Sequence, residues 1–214
     1  MFHVKHWALG LCMTAAFSAP AFSSSRTPIP QPLEGVRIRT ADLDRFEEHM
    51  VRYINELRAD PARFYRSYLP DYIASQGGRF TEPYLRSLRR DLNSIREPLP
   101  RLEPAGVLDQ AAARQAAYLA RFHGRLLTHE QGRLDFVGRM RQTGLHCFAE
   151  NLYQATDPSA LQVVCDLLID QGIPSLGHRR NLLSRDYDLI GFSTRKVGDN
   201  LTLVVMDFGC RHMP

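Results

Sequence analysis

Two histidines and two carboxylates occupy positions in this sequence where side chains of those types do chemistry. His129 lies in a Thr128-His129-Glu130 loop shortly before Gly132, and His178 sits in Gly177-His178-Arg179 behind a proline-containing loop. Glu150 falls in the apolar run Ala149 to Tyr153, and Asp170 closes the apolar stretch Val164 to Ile169. A carboxylate at the edge of an apolar element needs a partner, because an unpaired buried charge is expensive. Two imidazoles and two carboxylates can satisfy one another. They can also hold a divalent cation, zinc first, since neutral imidazole and carboxylate oxygen are both zinc ligands. Spacing alone goes no further. The chain has no His-Glu-x-x-His and no paired Cys-x-x-Cys, and the four residues are scattered. On that ground each could equally be a structural or solvated group.

The elements that must position them follow from periodicity. Phe46, Met50, Tyr53, Ile54 and Leu57 recur at helical spacing, with Thr40 or Asp42 able to cap the start and Asp60-Pro61 ending the helix. Residues 62–100 read as a helical insertion: a short helix around Phe64 to Leu69, a break at Gly77-Gly78, then a second helix from Tyr84 to Ile95. The arginines from Arg86 to Arg101 form a solvated face that can meet an anionic surface. Leu108, Ala111, Gln115, Tyr118, Leu119 and Phe122 mark a further helix whose alanines let a neighbour approach closely. Residues 134–143 give one or two helical turns, and Phe148 to Tyr153 a short strand. Asp157-Pro158 reads as a helix start, cap then proline, with Leu161, Val164, Leu167 and Leu168 on the buried face. Ile190 to Thr194 and Leu201 to Phe208 read as strands joined by a Gly198-Asp199-Asn200 hairpin. The expected class is α+β, helices packed on a small sheet in one domain over residues 42–214.

The first 41 residues have a different character. Lys5, an apolar stretch from Trp7 to Phe17, and Ala19-Pro20-Ala21 have the order of a secretory signal peptide over residues 1–21. Residues 22–41, with three serines and three prolines, read as a flexible linker. The expected product is secreted or periplasmic, with no transmembrane segment in the mature chain. A formal net charge of +4 does not argue for nucleic acid. Lys5 and Lys196 are the only lysines, an arginine skew that points to a GC-rich bacterial genome. Export makes a disulfide the default for Cys147, Cys165 and Cys210. Three pairings are open; Cys147 with Cys210 is favoured because Cys165 falls on an apolar helix face.

Two segments add a resemblance. Ala149 to Leu152 (AENL) and Gly177 to Leu183 (GHRRNLL) resemble signature segments of the CAP superfamily (SCP/TAPS), which includes cysteine-rich secretory proteins, antigen 5 and plant pathogenesis-related class-1 proteins. Asn55 and Arg58 on the first helix, Ile190-Gly191-Phe192 and Asp207-Phe208-Gly209 fit the same order. The resemblance implies a three-layer α-β-α sandwich with a cleft lined by two histidines and two acids. His129, Glu150 and His178 match three of these. Asp170 falls at the fourth, where a longer Glu is usual, and Leu167 replaces a tryptophan three residues earlier. It further implies an extracytoplasmic protein, lipid or small-molecule partner, and a binding role rather than catalysis. A zinc-dependent hydrolase using the same four residues is the alternative, and a sterol or fatty-acid carrier the second. Asn151 and Asn181 read as backbone-bonding groups, Arg179 as the partner of a carboxylate, and Tyr118 and Tyr153 as core.

Overall fold

The computed structural model describes residues 45–197 and 200–211. The expected signal segment and linker, the caps Thr40 and Asp42, and Gly198 and Asp199 of the hairpin lie outside those residues. Helix α1 (Arg45–Ala59) buries Met50, Ile54 and Leu57 completely, the stripe its spacing predicts. Asp60 then caps α2 (Pro61–Ser75) by accepting from the Arg63 backbone N–H, with proline at the first helical position. After Gly77 and Gly78, both at positive φ, comes α3 (Glu82–Ser94). Beyond it lie strand β1 (Glu103–Pro104), α4 (Gly106–Ala120), α5 (Phe136–Arg141) and strand β2 (Phe148–Thr156). The chain continues through α6 (Ala160–Ile169), α7 (Gly177–Leu183), β3 (Leu189–Val197) and β4 (Leu201–Gly209).

The four strands form one mixed sheet in the order β1-β3-β4-β2, antiparallel except for the β1–β3 pair. Alternation along β4 sends Val204, Met206 and Phe208 into a large core with α1 and α6. Leu203 and Val205 point the other way, onto Ala112 and Ala116 of α4. The result is the α-β-α sandwich, with β2 as an edge strand.

Helix α2 and the turn after it are fastened to α6 by one carboxylate. Asp166 accepts from Tyr72 at 2.5 Å, Tyr153 at 2.8 Å and Arg79 at 3.2 Å. Burial, then the Asp166 charge, pushes both phenols far up, so they remain donors.

Helix α4 lies on β3 so closely that only glycine fits beneath it. A Cβ at Gly191 would stand 2.4 Å from the Leu108 carbonyl carbon and the Asp109 nitrogen, backbone atoms that cannot rotate away. Gly191→Ala is therefore expected to lose at least about 1–3 kcal/mol by urea denaturation; an unchanged midpoint would contradict this packing.

Cys147 and Cys210 form a disulfide, joining the entry of β2 to the end of β4, while Cys165 is a free thiol buried on α6. Two local expectations need correction. Strand β2 runs on to Thr156, so Asp157 has to turn the chain; it does so at φ 40°, and Ser159 caps α6 instead, accepting from the Gln162 N–H. Helix α7 was not foreseen, because seven residues are too few to show a helical period.

Candidate functional site

Glu150 is placed by β2 and paired in register with Asp207 of β4. It shares the α4-facing side of the sheet with Leu152, and its side chain is fully buried. Two groups meet it there. His129 Nδ1 lies 2.7 Å from Oε1, and Arg139 of α5 donates to Oε2 at 2.6 Å. Arg139 is itself completely buried and donates also to the His129 carbonyl at 3.3 Å. The loop carrying His129 is clasped from α4, where Gln115 donates to the carbonyls of Thr128 at 2.6 Å and Glu130 at 3.2 Å. Phe136 stands edge-on to the imidazole, with ring centres 5.9 Å apart.

Asp207 completes this group. It is wholly buried, and its oxygens accept from no donor in the structure. Burial, followed by the Glu150 charge, holds its carboxyl well above the usual carboxylate range, with Arg139 opposing. Protonated, it hydrogen-bonds to Glu150.

The second pair forms at the α6–α7 junction. Asp170 ends α6 in the left-handed region at φ 59°, and Leu176 precedes α7 at φ 51°. Left-handed backbone at non-glycine residues costs roughly 1–3 kcal/mol each, and the Asp170 carboxylate offsets it locally. That carboxylate accepts from the backbone N–H of His178 at 3.0 Å and of Arg179 at 3.2 Å, and meets His178 Nδ1 at 2.7 Å. Arg179 is buried beneath, donating to the Leu168 and Ile169 carbonyls at 2.7 Å each and to Asp91 of α3 at 2.8 Å. The carboxylate expected to pair with Arg179 is thus Asp91.

Two asparagines join the pairs across β2. Asn151 donates to the His178 carbonyl at 3.2 Å, and Asn181 donates to the Glu150 carbonyl at 3.3 Å and to Asn151 Oδ1 at 2.8 Å. They bind backbone, as their sequence setting suggested. The four residues singled out in the sequence therefore fall into two His–carboxylate pairs at the edge strand, His129 with Glu150 and His178 with Asp170. Among the described residues no group of three or more His, Cys, Asp and Glu side chains gathers to hold a metal ion. The sequence reading missed Arg139 and Asp207 as members of the site. Arg139 looks like any surface arginine, whereas an acid within the apolar strand Leu201–Gly209 was a usable signal.

The same arrangement of elements recurs in known proteins. A model of the cysteine-rich secretory protein family, CAP, matches residues 51–208. The chain belongs to the CAP family. Among solved structures, the CAP domain here is similar to an outer surface protein of Borrelia burgdorferi, with a TM-score of 0.52 and 22% identity over 81% of this chain and 98% of that one. An extracellular Bacillus anthracis protein containing an SCP domain matches with a TM-score of 0.41 and 19% identity, over 52% of this chain and 34% of its own length. No curated protein matches the sequence. At 22% identity the likeness to the Borrelia protein establishes the fold alone. No helix among the described residues of this CAP domain is long and apolar enough to cross a membrane.

Proposed function

We propose that this CAP domain is an exported binding module in which the imidazoles of His129 and His178 take up a divalent cation. The observation that carries this reading is the fate of the carboxylates. Glu150 and Asp170, with side chains 0% and 1% exposed, each bind a histidine Nδ1 at 2.7 Å. The imidazoles are the groups that reach solvent, 22% exposed for His129 and 13% for His178. A carboxylate on Nδ1 fixes the tautomer and turns Nε2 outward as the donor, the arrangement that supports metal-binding histidines. His129 and His178 would hold the ion through Nε2, while Glu150 and Asp170 would orient the rings rather than ligate. When bound, a zinc ion would supply positive charge and open coordination positions to an incoming extracytoplasmic ligand.

Two protein nitrogens are fewer than the three ligands of a catalytic zinc, which favours binding over hydrolysis. The cysteines offer no nucleophile either: Cys147 is in the disulfide, and burial followed by Asp166 pushes the Cys165 thiol far up. The signal-like segment at residues 1–21 and the Cys147–Cys210 bond support export. Equilibrium dialysis against zinc tests the reading. Wild-type protein is expected to retain about one equivalent, and the His129→Ala/His178→Ala double variant none; equal retention by both would reject it.

A further inference from the structure

A groove of about 550 Å³ opens between α3 and α7, and neither His129 nor His178 lines it. Its volume is that of a small-molecule site. Its apolar wall comes from Ile95, Leu176 and Leu183, all half-buried and open to an occupant. The charges on it are unevenly matched. Arg179 and Asp91 cancel, since the buried guanidinium holds that carboxylate at 2.8 Å. Asp186 accepts from Ser184 at 3.3 Å and keeps its negative charge, so the lining sets three arginines against two acids and is positive by one charge. Arg90 and Arg180 remain on the rim, both exposed. Arg90 stands 3.7 Å from Asp91, beyond hydrogen-bond reach, with its side chain 76% exposed. Arg180 makes no ion pair among the described residues. Ser94 and Asn181 add neutral hydrogen-bonding groups beside them.

We propose that this groove binds a small organic anion: a phosphate or carboxylate head between Arg90 and Arg180, on a compact apolar body seated against Ile95, Leu176 and Leu183. Two guanidinium groups with free donors suit oxyanions because they bond them in a charge-assisted, bidentate manner. The apolar wall selects against a bare inorganic ion. Asn181 is shared with the surroundings of the cation site, but the ligand here is held by Arg90 and Arg180, so this site stands whether or not zinc binds.

Titration of ¹⁵N-labelled full-length protein with phenyl phosphate, benzoate, benzyl alcohol and inorganic phosphate, followed by amide shifts, tests it. Saturable shifts at Ser94, Ile95, Leu176 and Asn181 are expected with at least one of the two aromatic anions, and the stronger of them identifies the head group. Arg180→Glu should weaken that binding about tenfold, whereas Arg195→Glu, at an exposed position on β3, should not. A dispersed spectrum verifies that each variant is folded, and Arg90→Glu serves if Arg180→Glu is not. The proposal is overturned if neither aromatic anion saturates, or if benzyl alcohol or inorganic phosphate binds as tightly. Shifts centred elsewhere, or an unaltered affinity in the folded charge-reversal variant, overturn it as well.

Discussion

Replacing Arg139 by methionine is expected to lower the stability of this CAP domain by about 3–5 kcal/mol, a large share of the roughly 5–15 kcal/mol that holds a domain of this size folded. The guanidinium is completely buried and is the counterion of Glu150 at 2.6 Å. Methionine fills a similar volume but leaves the Glu150 carboxylate in a low-dielectric interior beside Asp207, with His129 as its remaining partner. The loss is thus an uncompensated charge rather than a cavity. A double variant separates the two: adding Glu150→Gln to Arg139→Met should recover part of the loss, because the stranded charge is gone. Urea denaturation of the four proteins reads the coupling. A midpoint for Arg139→Met equal to wild type would show that the buried pair does not hold this face together.

The second large effect is on pH dependence. Asp207 has its folded pKa raised, by burial first and by Glu150 second. An acid raised in this way gives its full contribution to stability below its unfolded value, near 3.8, and loses it as pH climbs towards the raised folded value. Across that window the folded protein holds one proton more than the unfolded chain. Stability should therefore fall by about 1.4 kcal/mol per pH unit from this residue. Asp207→Asn removes the titration but keeps the shape and a donor to Glu150. The variant should show a flatter profile and exceed wild type in stability near neutrality. Asp109, also raised by burial, tilts both proteins the same way and cancels in the comparison. Parallel profiles for the two proteins would mean that Asp207 is ionised in the folded state.

Where the sequence could be read and where it could not follows from the range of the forces involved. Helix α1 announces itself by one face buried along its length, as Met50, Ile54 and Leu57 record, and strand β4 by a continuous apolar run buried on both faces. The α4–β3 approach was visible in the alanines of α4, though the need for Gly191 beneath them was not. Helix α7 is held by Arg179 and by the Asp170 carboxylate, both contacts to other elements, so its seven residues carry no period of their own. Asp157 was misread because cap and turn draw on the same residue types, and only the length of β2 decides between them. At the site, the identities of His129, Glu150, Asp170 and His178 could be picked out from their settings and the AENL and GHRRNLL segments. The pairing of His129 with Glu150 could not, since it depends on β2 lying beside α5 and the loop after α4, and that of His178 with Asp170 depends on the left-handed turns at the α6–α7 junction. Arg139 was invisible for the same reason: a buried arginine is recognised by its partner, and Glu150 is brought to it only by the fold.

In the proposed cation site both imidazoles are held by carboxylates at Nδ1, with Nε2 left to bind. Nitrogen NMR of the ¹⁵N-labelled histidine rings, recorded with and without zinc, examines that directly. His129 and His178 are both expected to carry hydrogen on Nδ1, and both Nε2 resonances to move together as zinc is added. Hydrogen on Nε2 in either ring, or zinc shifting one ring and not the other, would contradict it.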